Sequence, residues 1–152
     1  MKSELLERIR TDLRERFDRL SKAALEAHAA ATDPGSKAEG KYDTRSLEAS
    51  YLAAGQARQV ESLAAALRIF ETLSLPGFGP YDAIDAGALV EAELAGESVF
   101  YLLVPAAGGS VIDHDGAEIT LLTPASHLYE KLLEMRSGES IESPPLTVVG
   151  VS

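Results

Sequence analysis

The spacing of apolar residues changes once along this chain, and the change limits the folds that are open to it. In the N-terminal half apolar side chains recur at helical intervals, as in the row Leu6, Leu13, Leu20 and Ala27, which advances seven residues at a time. In the C-terminal half they alternate with polar residues, as in ALVEAEL at 88–94, which is typical of a strand with one buried face. The sequence therefore predicts helices first and a sheet afterwards.

The helical half is predicted to hold two helices, one from Glu4 to about Ala31 and one from about Thr44 to Leu73. They have similar lengths and a short connection, which indicates an antiparallel hairpin of the coiled-coil type. A helix of about 28 residues is roughly 42 Å long, which is too long to pack entirely on a small domain. We therefore expect the hairpin to project as an arm, with its tip at about residues 32–43.

A break in the pattern follows the second helix. The segment LSLPGFGPYDAIDAG, at 73–87, contains two prolines and three glycines, a composition that is typical of a loop. It predicts a linker at 75–87, which would separate the hairpin of residues 1–74 from a sheet domain of residues 88–152.

The sheet domain is predicted to be a small antiparallel β-sheet with one helix. Its strands are predicted from ALVEAEL, SVFYLLV and LTVVGV, and VIDHDGAEITLL is typical of a hairpin that turns at Asp115 and Gly116. SHLYEKLLEMR has the pattern of a short helix that ends at Gly138. The fold class predicted for the whole chain is α+β.

Charge is distributed unequally between the two halves. Residues 1–74 hold 12 Lys and Arg and 12 Asp and Glu, whereas residues 75–152 hold 2 and 12, so the net charge of −10 arises in the second half. An acidic surface repels phosphate groups, and direct binding of nucleic acid by this half is therefore not expected.

Several other classes of protein and site are excluded or not expected. The chain has no cysteine, so disulfides and thiolate metal sites are excluded. Its first residues, MKSELLERIRTDLRERF, are charged throughout, unlike a signal peptide, and no apolar run reaches the roughly 20 residues that span a bilayer. We expect a cytoplasmic protein with no membrane partner. The histidines predict no metal site, and Asp113-His114-Asp115 is an ordinary turn composition.

The segment ITLLTPASHLYEKLLEMRSGESI, at 119–141, resembles a motif of the bacterial Gre transcript-cleavage factors. There a strand is followed by Thr/Ser-Pro, a helix with paired leucines, and a glycine with an acid after it. A second stretch, EASYLAAGQARQVESLAAAL at 48–67, resembles the returning helix of the Gre hairpin. The order of the parts, a hairpin and then a small sheet domain, is also that of the family. The matching positions in the first segment are Thr123, Pro124, Ser126, Leu128, Leu132, Leu133, Gly138 and Glu139.

The resemblance implies an FKBP-like sheet domain that docks on the rim of the secondary channel of bacterial RNA polymerase, and a hairpin that enters the channel. Two carboxylates at the tip would help to hold a second Mg²⁺ at the polymerase active centre, where the ion activates water to cleave backtracked RNA. The chain would then be a monomer that is not itself an enzyme and binds no cofactor in isolation. It would share Mg²⁺ with the polymerase and meet the RNA 3′ end only indirectly.

The predicted tip acids are Glu39 and Asp43, with Asp33 and Glu48 in reserve. Each also has a plain structural interpretation. Asp33 precedes a Pro-Gly turn, and Asp43 is placed to cap the second helix. Glu39 could simply be solvated on a loop, and Glu48 on a helix face. The Gre pattern is Asp-x-x-Glu before Asn-Ala-Glu-Tyr, whereas four residues separate Asp43 from Glu48 here.

Three alternative functions stay open. The chain could bind in the polymerase channel and retune or inhibit the enzyme without stimulating cleavage. The sheet domain could be a prolyl isomerase, which would need an aromatic-rich apolar pocket. The hairpin could be an adaptor that docks another helix or associates with itself, and an exposed apolar stripe on its helices would favour that function.

Overall fold

The computed structural model describes residues 2–32 and 45–152, and within them the side chains of residues 2–29 and 53–152. This part of the chain forms helices and one six-stranded sheet, which confirms the α+β class. The bounds of both long helices differ from the predicted ones by at most two residues. The elements are α1 (Lys2–Thr32), α2 (Arg45–Thr72), β1 (Leu89–Leu94), β2 (Glu97–Leu103), β3 (Val111–His114), β4 (Ala117–Leu122), α3 (His127–Leu132), β5 (Ser140–Ile141) and β6 (Leu146–Val151).

Two-residue turns close two of the hairpins of the sheet. Ala95 and Gly96 join β1 to β2 with φ of 51° and 85°, and Asp115 and Gly116 join β3 to β4 with φ of 52° and 79°. A turn with two consecutive positive φ values matches the right-handed twist of the strands it connects. The predicted turn at Asp115 and Gly116 is confirmed.

The sheet is mixed rather than wholly antiparallel. The strand order is β3-β4-β2-β1-β6-β5, and β2 pairs with β4 in parallel from Phe100↔Ile119 to Leu103↔Leu122. The other four pairings are antiparallel. After β2 the chain passes to the outer strand β3 before it turns back into β4, so β4 enters beside β2 in the same direction. The prediction of a fully antiparallel sheet is corrected at this pair.

One face of the sheet packs against α3. Strand alternation places Val90 and Ala92 of β1 on the same face as Tyr101 and Leu103 of β2. These side chains form one buried cluster with Leu132 and with others of α3 and β6. The strands of this cluster and α3 together form the principal core of the sheet domain.

The opposite face of the sheet is also buried. Leu102, Ile112, Ile119 and Leu121 lie on it and are at most 3% exposed. The first turns of α1 and the end of α2 cover this face, since Leu5, Ile9 and Phe70 are at most 1% exposed and belong to the same compact unit as the sheet. Arg8 Nε donates to the Asp113 carbonyl of β3 at 3.3 Å, which fixes α1 beside the sheet edge.

The borders of the two compact units fall inside the long helices. One unit comprises Met1–Ile9 and Ile69–Ser152, and the other comprises Arg10–Arg68. Helix α1 carries the chain from the first unit into the second, and α2 carries it back, which is the connectivity of a hairpin. The division at 74 and 88 and the projection of the hairpin stay predictions.

The segment predicted as a linker packs into the sheet domain. Ile84 is 1% exposed and belongs to the core cluster, and Phe78 packs against that cluster. The backbone of Ile84 makes two hydrogen bonds at 2.8 Å, donating to the Met135 carbonyl and accepting from the Glu134 N–H. A buried backbone needs such partners, so Ile84 is fixed in the core of the sheet domain.

Helix α3 ends at Leu132, six residues before Gly138, where the sequence predicted its end. Leu133 is extended, with ψ of 136°, and Glu134 has a φ of 68°. The Glu134 N–H bonds to Ile84 rather than to the preceding helical turn. The helix therefore ends early because tertiary hydrogen bonds replace helical ones. Strand β5, which the sequence did not indicate, follows Gly138.

Replacing Ile84 by alanine tests whether residues 75–87 belong to the core. We expect Ile84→Ala to lower the free energy of unfolding by about 2–5 kcal/mol, the usual cost of truncating a fully buried aliphatic side chain. Val149→Ala, at a site that is 52% exposed, should cost less than about 1 kcal/mol. Urea unfolding followed by circular dichroism measures both. Equal values for the two variants would contradict the packing of this segment.

Candidate functional site

The predicted tip acids lie at the junction of α1 and α2. Asp33, Glu39 and Asp43 fall in residues 33–44, outside the described residues. Glu48 lies in the first turns of α2, where the backbone alone is described. The four acids thus stay predictions as functional groups, and the structure contributes the helices that lead to them.

Carboxylate oxygens are the ligands that Mg²⁺ prefers, and the ion commonly takes one or two of them and keeps several waters. Glu39 and Asp43 are therefore chemically suited to complete a site that another protein supplies. Among the side chains of residues 2–29 and 53–152, no three of histidine, aspartate or glutamate come close enough to hold a metal ion.

The outward surface of the hairpin is mainly polar. Among the described side chains of α1 and α2, the large apolar ones that are exposed are Leu25, at 71%, and Ile69, at 39%. They lie on different helices, Leu25 towards the tip and Ile69 near the end of α2, and form no stripe. Leu13 and Leu67, which are buried, carry the apolar seam. The feature that would have favoured an adaptor is absent from this part of the hairpin.

Lys2 fastens the start of α1 to residues 75–87. Its Nζ donates to the carbonyls of Pro76 and Gly87 at 2.6 and 2.7 Å and lies 4.7 Å from the centre of the Phe78 ring. Burial lowers the pKa of Lys2 from 10.5 to about 8. The sequence did not single out this residue, because nothing in its pattern distinguishes it from a solvated lysine.

Residues 123–139, which the resemblance places in the docking domain, are tightly fixed. The Ser126 N–H donates to the Thr123 carbonyl at 2.9 Å, and the Gly138 N–H donates to Val148 at 2.8 Å. A side chain at Gly108 would meet Thr123 Oγ1 at 2.8 Å, so glycine is needed there for close packing. Backbone hydrogen bonds and close packing thus hold both ends of this segment in the domain.

An open apolar groove of about 220 Å³ runs beside this surface, between Leu75, Pro105 and Pro124. Tyr129 lines it and is 7% exposed, and burial followed by the charge of Asp85 raises the pKa of its phenol. Tyr129 is the one aromatic residue in the lining of this groove. A prolyl isomerase site needs several, so the groove does not support that alternative.

The cations of the sheet domain are directed to backbone carbonyls. Within residues 75–152 the basic side chains are Lys131 and Arg136. Lys131 Nζ donates to the Ser143 carbonyl, and Arg136 Nη1 donates to the Tyr81 carbonyl at 2.6 Å. Two further cations of the same compact unit, Lys2 and Arg8, also donate to carbonyls. Because residues 75–152 hold 12 Asp and Glu against Lys131 and Arg136, the charge of the sheet domain is mainly negative.

No protein-family model matches the chain, and no curated protein sequence matches it. Several solved structures match the chain. The GreA factor homolog 1 (Gfh1) of Thermus thermophilus is 21% identical, with 94% of each chain covered and a TM-score of 0.38. The Gfh1 of Thermus aquaticus is 20% identical, over 93% of this chain and 92% of that one, with a TM-score of 0.37. A further structure, of the transcription factor Gfh1, is 21% identical over the same shares, with a TM-score of 0.38.

These neighbours are of the Gre type. No helix in the described part of the chain is long and apolar enough to cross a membrane.

The lowered pKa of Lys2 predicts a particular pH dependence of stability. Between about pH 8 and 10.5 the unfolded chain holds the Lys2 proton that the folded chain has lost, so the free energy of unfolding rises with pH across this window. Lys2→Met removes that contribution. We expect the wild type to gain stability relative to Lys2→Met from pH 8 to 10.5, as measured by urea unfolding at half-unit intervals. A difference that stays constant or falls over this range would show that the pKa is not lowered.

Proposed function

We propose that this protein is a Gre-type regulator of bacterial RNA polymerase. Its hairpin would enter the secondary channel of the polymerase, its sheet domain would dock on the rim of that channel, and its tip acids would stimulate cleavage of backtracked RNA. One observation carries the proposal. Two long helices, whose described exposed side chains are mainly polar, are joined by a segment whose sequence holds Asp33, Glu39 and Asp43, and their other ends are buried in the same compact unit as the sheet.

The burial of helix ends together with the sheet explains why the hairpin would suit insertion into the channel. Leu5, Ile9 and Phe70 are buried in the same compact unit as the sheet, so both helices begin from a fixed base. A catalytic group must be held close to its working position, because a displacement of about 1 Å can cost a hundredfold in rate. Helices that share a core with the docking domain would position their tip better than a hairpin on a flexible linker.

The chemistry at the tip would be limited and specific. A Mg²⁺ ion bound by polymerase and tip together would lower the pKa of a bound water and stabilise the leaving oxygen. Glu39 and Asp43 would supply carboxylate oxygens and orient water. They have no catalytic role in isolation, which is why the protein is proposed as a partner of the polymerase and not as an enzyme. It would work in the cytoplasm as a monomer and contact the RNA 3′ end only through this site.

A second candidate function is channel binding without cleavage. It is favoured by the four residues between Asp43 and Glu48, where the Gre pattern has two between its acids. Displaced acids would hold the ion or the water away from the scissile phosphate. The protein would then slow or retune the polymerase while it occupies the same channel.

The test of cleavage uses bacterial RNA polymerase halted in a backtracked complex with 5′-labelled RNA and Mg²⁺. We expect the wild type to shorten the RNA, and Glu39→Ala/Asp43→Ala to do so about 10- to 100-fold more slowly, the range seen when groups that support a metal site are removed. Glu26→Ala/Glu61→Ala is the matched control, because it removes two negative charges at exposed helical positions. It should cleave at the wild-type rate.

The pattern of results separates the two candidates. Shortening that depends on the tip acids supports the cleavage factor. Absence of shortening, together with competition against a known channel binder, supports the regulator that does not cleave. If the protein causes no shortening and does not compete with the channel binder, both candidate functions are refuted. Equal loss in the tip variant and the control would attribute the effect to net charge and not to the tip.

A further inference from the structure

Tyr81 is unusually exposed for an aromatic residue of this protein. Its side chain is 84% exposed, whereas every other phenylalanine and tyrosine whose side chain is described is buried or half-buried. Hydrophobic burial therefore does not explain the ring. The residue follows Gly79-Pro80 in the segment that the sequence predicted as a linker.

The turn that carries Tyr81 is held closed from both ends. The Asp82 N–H donates to the Gly79 carbonyl at 3.1 Å, and the Gly79 N–H donates to Asp82 Oδ2 at 2.6 Å. Proline at position 80 fixes a further backbone angle. Arg136 Nη1 then holds the Tyr81 carbonyl at 2.6 Å. Hydrogen bonds thus restrain the backbone of the turn on every side, while the tyrosine ring stays in solvent.

The two flanks of the turn are fixed in the domain core. Phe78 on one side packs against the core cluster and lies under Lys2 Nζ. Ile84 on the other side is 1% exposed and is bonded through its backbone to Glu134 and Met135. The backbone of the turn therefore cannot shift without breaking these contacts.

A rigid, exposed tyrosine is well suited to anchor a protein interface. Few side-chain torsions are lost when it binds, and its backbone is already ordered, so little of the interaction energy is offset by entropy. Tyrosine is among the residues that dominate measured binding energies at interfaces. We propose that Tyr81 is an anchor by which the sheet domain docks on a basic protein surface, with an arginine or lysine of the partner against its ring.

The charge around the turn indicates the basic partner. Asp82, Asp85 and Glu134 are exposed next to the turn or its anchors. They outnumber the cation bonded to the turn, Arg136, whose Nη1 donates to the Tyr81 carbonyl. A cation of the partner could contact the face of the Tyr81 ring and would also be attracted by these carboxylates. A cation over a tyrosine ring is stabilised by the ring quadrupole. An acidic or phosphate-bearing partner would be repelled.

This inference rests on the proposed function, which makes the partner the polymerase. The test is the Kd for core RNA polymerase, measured by fluorescence anisotropy. Since the chain has no cysteine, the exposed Ser98 can be changed to cysteine in every variant and labelled there. We expect Tyr81→Ala to weaken binding about 30-fold, as an interface hot spot does. Tyr81→Phe keeps the ring and should stay within about threefold of the wild type.

Two further variants complete the test. Tyr81→Leu keeps apolar bulk but has no ring, so it should bind as weakly as Tyr81→Ala. Val149→Ala changes another exposed apolar residue of the same domain and should bind as the wild type does. Thermal unfolding of all variants should agree within about 2 °C, because an exposed site contributes little to stability.

Each of the other outcomes refutes the anchor, the cationic partner or the proposed function. If Tyr81→Ala binds like the wild type, or loses no more affinity than Val149→Ala, the anchor is refuted and the proposed function stands. If Tyr81→Leu binds as tightly as the wild type, the cationic partner is refuted, since an apolar pocket on the polymerase would explain the contact. If the wild type does not bind polymerase at all, the proposed function fails and the inference fails with it.

Discussion

The sheet has two apolar faces, and both must be covered for it to be stable in water. Helix α3 covers one face, and the ends of α1 and α2 cover the other through Leu5, Ile9 and Phe70. Burial of each such side chain is worth roughly 1.5–3 kcal/mol. The ends of the two long helices therefore belong to the same compact unit as the sheet, and their apolar side chains are buried there.

The few cations of this unit make hydrogen bonds to backbone carbonyls. Lys2, Arg8, Lys131 and Arg136 each direct a donor to a carbonyl group, and these bonds tie loops and helix ends together. The sheet domain is acidic because residues 75–152 hold 12 Asp and Glu and only 2 Lys and Arg. An acidic field favours encounter with a basic partner.

The sequence predicted the features that local rules determine. The helices followed from apolar spacing, and the turn at Asp115 and Gly116 from its dipeptide. What it missed depends on tertiary contacts. The burial of Ile84 could not be predicted, because a single apolar residue among glycines and prolines shows no periodic pattern. Helix α3 ends early because the backbone of Glu134 and Met135 bonds to Ile84 instead of continuing the helix. The parallel pairing of β2 and β4 could be predicted only from the path of the chain through the whole sheet. Tip acids such as Glu39 lie outside the described residues, so chemical suitability alone supports them.

The two-part cover of the sheet also affects how the protein can be made. The residues that complete the core on one face come from the first turns of α1, and β1 is bonded to the last residue through reciprocal hydrogen bonds between Leu89 and Ser152 at 2.9 Å. The ribosome makes α1 well before it makes β6 and Ser152. The helices are complete once residue 72 has been added and can pair while translation continues, whereas the sheet cannot close until β6 has left the ribosome. The nascent protein would pass through a stage with paired helices and an unfinished base.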